Sequence, residues 1–136
     1  MKVTGTGIVA EPPPATTART RAFAGHPQSV GAARAWVTGF VPGFPAEDDV
    51  ALLTSELVTN AILHSASGLP GGQVTVSVRA ADGMVRVDVV DQGELPARFP
   101  RRYGLGQGLP LVAALADVFG ADGPDRWFAL RTGGAL

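Results

Sequence analysis

The sequence predicts an α+β fold, a two-layer α/β sandwich in which helices cover one face of a mixed, mainly antiparallel sheet. The first indication is a pair of runs in which apolar and polar residues alternate, residues 73–80 and 84–90, separated by a short turn. The second is a set of segments whose apolar residues recur at helical spacing. These segments follow in the order helix, helix, hairpin, helix, strand, which favours a sheet with its helices on one side.

Each element has its own sequence signals. Acidic residues at 47–49 suit the positive end of a second helix, and Gly83 suits the left-handed backbone of a hairpin turn. Pro110 suits the first turn of a third helix, and Gly120 suits its C-terminal cap. The predicted segments are a flexible tail (1–20), a strand (21–24), a helix (27–40), a helix (46–64), strands (73–80 and 84–90), a helix (109–119) and a last strand (127–131), with residues 21–136 forming one domain.

The composition is that of one compact domain, with 136 residues, 46% of them hydrophobic, and a net charge of −1 at pH 7. Because the charge is balanced, we do not expect direct binding to nucleic acid. The chain has no cysteine, which excludes a disulfide scaffold, and its two histidines, His26 and His64, lie in different segments. No apolar run is long enough to span a membrane, so we expect a soluble, cytoplasmic protein.

The second predicted helix carries a polar stripe. Glu56, Asn60 and His64 recur every fourth residue, and at about 3.6 residues per turn each step drifts by only about 40°. The surrounding positions are mostly apolar. A carboxylate and an amide on such a helix are costly unless something polar meets them, either a structural hydrogen-bond network or a bound polar ligand. His64 alone also suits a simple role as a cap at the helix end.

Asp91 is the next residue in the alternation that is expected to bury every second side chain of the second hairpin strand. Val85, Val87 and Val89 are expected to face the core, so Asp91 should point inward, whereas Arg86 and Asp88 should point to solvent. Gly93 follows and allows a turn or the close approach of a ligand. The alternative is that Asp91 only caps this turn through the backbone, as aspartate often does.

Three alternate glycines, Gly104, Gly106 and Gly108, lead directly into the third predicted helix. A glycine-rich loop at a helix N-terminus offers free N–H groups and a positive dipole end to an anion. The pattern alone is also typical of a flexible linker. No βαβ unit surrounds it and no Gly-Lys-Ser/Thr follows, so neither the dinucleotide fingerprint nor a Walker loop is indicated.

The three motifs gain meaning from their order, which is Glu56 with Asn60 on a helix, then Asp91-Gln-Gly93 after a strand, then the glycine loop. In this order they resemble the GHKL ATPase/kinase superfamily, with its Bergerat nucleotide-binding fold, over about residues 21–131. More narrowly, the chain resembles the anti-sigma-factor serine/threonine kinases of the SpoIIAB and RsbW type.

The resemblance implies a role for each motif residue. Asn60 would hold the Mg²⁺ that bridges the ATP phosphates, and Glu56 would accept or orient the proton of the attacking hydroxyl. Asp91 would accept the adenine amino hydrogen, and Gly93 would let the base lie close. The residues expected to line the phosphates are Gly104, Leu105, Gly106, Gly108 and Leu109.

The implied activity is ATP-dependent phosphorylation of a STAS-type anti-sigma-factor antagonist, together with binding of a sigma factor, with ATP and Mg²⁺ as cofactors. Relatives of this type commonly form homodimers, and an exposed edge strand near residues 21–24 could pair with another copy.

Several positions depart from the family pattern and support alternative functions. Leu63 stands where many relatives carry a basic residue, Glu94 replaces a second glycine, and Arg126 lies where relatives often carry Gly-Lys-Thr. These departures favour a non-catalytic module whose partner binding depends on nucleotide. A further alternative is a nucleotide-free descendant that keeps the fold as an interaction surface. Three arginines, Arg98, Arg101 and Arg102, either replace the missing basic contact or form a solvated loop.

Overall fold

The computed structural model describes residues 17–96 and 108–131, which form three α-helices and a five-stranded sheet. The elements are β1 (Thr17–Ala24), α1 (Gln28–Thr38), α2 (Glu47–His64), a short 3₁₀ helix (Ala66–Gly68), β2 (Gln73–Ala81), β3 (Met84–Val90), α3 (Gly108–Leu115), β4 (Val118–Asp122) and β5 (Asp125–Arg131). The strand order is β1-β2-β3-β5-β4, and the four described ladders are all antiparallel. The predicted α+β class is confirmed.

The β2–β3 hairpin fixes the centre of the sheet. Val76 pairs with Val89 and Val78 with Val87, and all four side chains are buried. Alternation therefore places one apolar face of the hairpin in the core, as predicted. The connecting turn has positive φ at both Asp82 (49°) and Gly83 (75°), which is the backbone of a type I′ turn and matches the twist of the strands.

The α2 helix is the central helix of the fold. It packs against α1, α3 and the inner face of β2, β3 and β5. Three acids occupy its first turn, where they complement the helix dipole. At its other end the Ser65 hydroxyl donates to the Ala61 carbonyl (2.6 Å) and accepts from the Ser67 N–H (3.0 Å). Within the described part of the chain, no helix has the length and apolarity needed to cross a membrane.

The end of the third helix differs from the prediction. The helix was expected to reach Phe119, but α3 ends at Leu115 and β4 begins at Val118. Val118 pairs with Ala129, and Phe119 pairs with Phe128. The apolar residues keep a helical spacing from α3 through Phe119. Pairing with β5 nevertheless makes this segment a strand, because strand formation depends on such tertiary contacts.

Gly120 is therefore not a helix cap, and the prediction for it was wrong. It lies in β4 opposite Trp127, and a Cβ atom at this position would lie 2.8 Å from the Trp127 ring. The glycine is needed because the indole occupies the space above it.

The strand β1 begins at Thr17, four residues before the predicted start at Arg21. Residues 17–20 of the predicted tail thus belong to β1, and its remainder, residues 1–16, lies outside the described residues.

Candidate nucleotide site

The polar stripe of α2 lies along one edge of its buried face. Glu56, Asn60 and His64 are half-buried, between buried neighbours such as Leu57 and the exposed Leu63. On the opposite edge, Arg34 of α1 donates a hydrogen bond to the Ser55 hydroxyl (3.2 Å). Because α1 covers that edge, the stripe faces away from α1.

Asp91 lies directly after β3, and its side chain is only 12% exposed. The Gly93 N–H donates to its Oδ1 at 2.7 Å, while the Asp91 N–H donates to the Pro124 carbonyl at 3.0 Å. The capping interpretation is therefore correct for one carboxylate oxygen. Oδ2 takes no part in this turn, so the cap leaves it to interact with other groups.

A basic side chain faces this second oxygen. Arg126 lies opposite Val89 in the β3–β5 ladder, so it is on the sheet face that carries the helices. Its Nη1 is 3.4 Å from Asp91 Oδ2, and its side chain is 41% exposed. The sequence marked Arg126 as a departure but gave no sign of this contact, since the two residues are 35 positions apart.

The loop of residues 91–93, called the Asp91 loop, follows β3. Three hydrogen bonds donated by backbone N–H groups tie it to neighbouring elements. The Ala66 N–H donates to the Gly93 carbonyl (2.8 Å), and the Gln92 N–H donates to the hydroxyl of the fully buried Ser67 (3.0 Å). The Gln92 Oε1 accepts from the first residue of β2 (2.8 Å). The loop is thus held to the segment that follows α2, and Asn60 lies only about 6 Å along the helix axis from the last residue of α2.

Glycines make this junction possible. A Cβ at Gly25 would lie 1.7 Å from the Ser67 carbonyl oxygen, and one at Gly72 would lie 2.1 Å from the same atom. A Cβ at Gly68 would lie 2.0 Å from the Ile62 carbonyl oxygen. The role of Ser67 was not predicted, and the clustered glycines of residues 68–72 were its only signal in the sequence.

The other predicted site residues fall in two groups. Gly93 has a φ of 95°, and a Cβ there would meet nothing within 4 Å, so the backbone borders open space among the described residues. Gly108 and Leu109 are the first two residues of α3. The predictions that lie outside the described residues are those for Gly104, Leu105, Gly106, Arg98, Arg101 and Arg102.

Within the stripe, Asn60 fits an oxygen-liganded metal that is shared with a substrate. In residues 17–96 and 108–131, no group of three or more His, Asp or Glu could hold a metal ion. Mg²⁺ commonly uses one or two protein oxygens together with substrate phosphates and water. The side-chain oxygen of Asn60 is a donor of this kind, and Glu56 lies one helical turn away from it.

The opposite face of β5 carries a second cluster of charges next to Arg126. The Arg86 guanidinium lies 4.0 Å from the centroid of the Trp127 ring and donates two hydrogen bonds to Asp88 (2.7 and 2.8 Å). Arg86 and Asp88 were expected to point simply to solvent, but both are half-buried, with Arg86 over the buried indole and Asp88 bonded to Arg86. The pKa of Asp125 is raised to about 7. Burial is the larger cause, and the nearby Asp88 carboxyl is the second. Burial alone would raise the pKa of Asp88 too, yet the hydrogen bonds from Arg86 lower it.

The carboxyl pair predicts a pH dependence of stability. Between an ordinary aspartate pKa of 3.8 and about 7, folded Asp125 holds a proton that the unfolded chain has released. The free energy of unfolding should therefore fall as the pH rises through this interval. The lowered pKa of Asp88 affects the free energy of unfolding only below about pH 4. Asp125→Asn should remove the fall and stabilise the protein by about 1 kcal/mol at about pH 8, an effect reduced by the partial exposure of Asp125. Urea unfolding of both proteins at about pH 5 and about pH 8 measures this difference, and parallel pH curves would contradict the assignment.

Comparison with known proteins relates this chain to a protein family and to curated proteins. A family model described as a histidine kinase-like ATPase domain matches residues 23–125. The chain is 36% identical over 75 residues to the anti-sigma F factor of Geobacillus stearothermophilus. The matched residues make up 52% of this chain and 51% of that protein. It is 35% identical over 75 residues to the anti-sigma F factor of Geobacillus kaustophilus (strain HTA426), with the same coverage. The chain spans about half the length of the curated relatives it matches.

Proposed function

Because this chain belongs to the family of histidine kinase-like ATPase domains, we propose that it binds ATP with Mg²⁺ and acts as a regulator of the anti-sigma-factor type. Its catalytic activity in this proposal is that of a protein serine/threonine kinase. The protein substrate is a STAS-type antagonist, and the regulated partner is a sigma factor. A cytoplasmic location and a homodimeric state belong to the same proposal.

The observation that carries the proposal is the junction between the Asp91 loop and the end of α2. The bonds from Ala66 to Gly93 and from Gln92 to Ser67 fix a nearly buried carboxylate relative to the polar stripe. A nucleotide has a hydrogen-bonding base at one end and a metal-binding triphosphate at the other. The carboxylate suits the base, and Asn60 suits the metal-bound phosphates.

The proposed reaction needs positioning and charge neutralisation more than covalent participation by the protein. ATP supplies the phosphoryl group, and Mg²⁺ neutralises its charge. Glu56 accepts the proton of a serine or threonine hydroxyl, whose oxygen forms the new bond to the γ-phosphorus while the bond to ADP breaks. Asn60 positions the metal-bound end of the nucleotide one helical turn from this carboxylate.

Glu56→Gln tests the catalytic assignment. We expect transfer of label from γ-labelled ATP to a STAS-type antagonist to fall at least about 100-fold, because the amide cannot act as a general base. ATP affinity by calorimetry should stay within about threefold of the wild-type value, since the side chain keeps its size. The matched control is Glu47→Gln on the same helix, whose Oε1 accepts the Gly43 N–H (3.0 Å), a bond that glutamine can keep.

A non-catalytic, nucleotide-gated interaction module is the second candidate, favoured by the exposed Leu63 in place of a basic residue. In this case the wild-type protein binds ATP but transfers no label with Mg²⁺ present, and Glu56→Gln leaves partner regulation intact. Transfer at the wild-type rate by Glu56→Gln would remove Glu56 from the mechanism. Absence of ATP binding by the wild-type protein would remove both candidates.

A further inference from the structure

We propose that Arg126 reads the nucleotide base together with Asp91, donating a hydrogen bond to the ring nitrogen N1 of adenine while Asp91 accepts from the adjacent amino group. This inference rests on the proposed function, because it assumes that a nucleotide lies against Asp91. It gives a specificity-determining role to Arg126, a residue that departs from the family pattern.

The Asp91 carboxylate is oriented before any ligand arrives. The Gly93 N–H fixes Oδ1 at 2.7 Å, and the bond from the Asp91 N–H to the Pro124 carbonyl (3.0 Å) holds the start of β5 beside it. The remaining oxygen, Oδ2, faces Arg126. Because Pro124 and Arg126 are two residues apart, the same backbone bond that positions Asp91 also positions the arginine.

The Asp91–Arg126 pair is loose enough to admit a ligand. The 3.4 Å separation between Arg126 Nη1 and Asp91 Oδ2 is long for a charge-assisted hydrogen bond, which is usually about 2.8 Å. Arg126 is 41% exposed, whereas Asp91 is only 12% exposed. A guanidinium has five N–H donors, so it can keep this contact and still donate to a second group.

The two side chains have complementary chemistry. A carboxylate only accepts hydrogen bonds and a guanidinium only donates them. Side by side, they match a ligand edge in which a donor adjoins an acceptor. Adenine has this edge, since its exocyclic amino group donates and the neighbouring N1 accepts. Without a hydrogen-bond donor next to Asp91, this pair would offer N1 no partner.

The test compares ATP with 1-deaza-ATP, which keeps the amino group but has a carbon in place of N1. For the wild-type protein we expect the Kd of 1-deaza-ATP to exceed that of ATP by about 10-fold or more, the effect of one hydrogen bond to a charged group. In Arg126→Leu this ratio should fall to about 1, because ATP binding weakens and 1-deaza-ATP binding does not. Arg126→Lys, which keeps a donor, should restore part of the ratio.

Arg131→Leu is the matched control, since Arg131 lies at the far end of the same strand and is exposed. It should keep the wild-type ratio. An equal ratio in wild type and Arg126→Leu, with ATP still bound by both, would overturn the role of Arg126 and leave the proposed function standing. Tighter ATP binding by Arg126→Leu would also overturn it, because the arginine would then only neutralise Asp91. If the wild-type protein binds no ATP, the proposed function fails and the inference fails with it.

Discussion

Asp91→Asn is expected to raise the Kd for ATP at least about 100-fold. The asparagine oxygen can still accept the Gly93 N–H, as Oδ1 does at 2.7 Å, so the loop should keep its shape. The amide nitrogen then replaces Oδ2 and faces Arg126, which places a donor against a donor. It also faces the amino group of the base in the same way. The base loses one hydrogen bond to a charged group and meets a donor in its place, and together these correspond to about 3 kcal/mol of binding free energy.

Isothermal titration with ATP and Mg²⁺ measures this loss directly. Asp82→Asn is the control, because Asp82 lies in the hairpin turn at the other end of β3, and asparagine tolerates its positive φ of 49°. This variant should bind ATP as the wild type does. A Kd for Asp91→Asn within threefold of the wild-type value, in a protein with an unchanged unfolding midpoint, would show that Asp91 does not contact the ligand.

Gly25→Ala is expected to lower the free energy of unfolding by about 3 kcal/mol. The new Cβ would lie 1.7 Å from the Ser67 carbonyl oxygen, and backbone atoms on both sides would have to move. The bond from the Gly25 N–H to the Gly72 carbonyl (2.9 Å) would be strained by the same shift. Because Ser67 holds the Asp91 loop through Gln92, ATP affinity should fall together with stability.

Gly31→Ala is the matched substitution with the opposite expected sign. Gly31 lies within α1, and a Cβ there would meet only the flexible end of Arg34, at 3.4 Å. Alanine favours the helix, so the free energy of unfolding should rise by about 0.5–1 kcal/mol. Urea denaturation of both variants measures the difference. Equal stabilities for the two proteins would contradict the close packing of residues 25 and 67.

Local patterns predicted the parts of the fold that local chemistry controls. Alternating valines and a Gly83 turn gave the β2–β3 hairpin, and the position of β3 was predicted without error. The strand β4 could not be found in this way, because Val118 and Phe119 continue the helical spacing of α3 and become a strand only by pairing with β5. The information that decides this segment lies about ten residues further along the chain.

The candidate site shows the same division. Strand parity predicted the inward direction of Asp91, which is confirmed by its low exposure. Helical periodicity predicted that Glu56 and Asn60 share a side of α2. The contact with Arg126 and the anchoring hydroxyl of Ser67 depend on which loops meet in space, and no local pattern carries that information. The roles of these residues toward a nucleotide stay predictions.

The hairpin turn at Asp82 and Gly83 also offers a place for a reporter. Seven residues of β3 separate this turn from Asp91, a span of about 23 Å at the usual rise of a strand. The chain has no cysteine, so a single cysteine introduced beside the turn would be the only thiol available to a fluorescent dye. Such a label would lie outside the proposed pocket, yet on the strand that leads into it. Ligand binding could then be followed optically in a protein whose native residues near Asp91 are all unchanged.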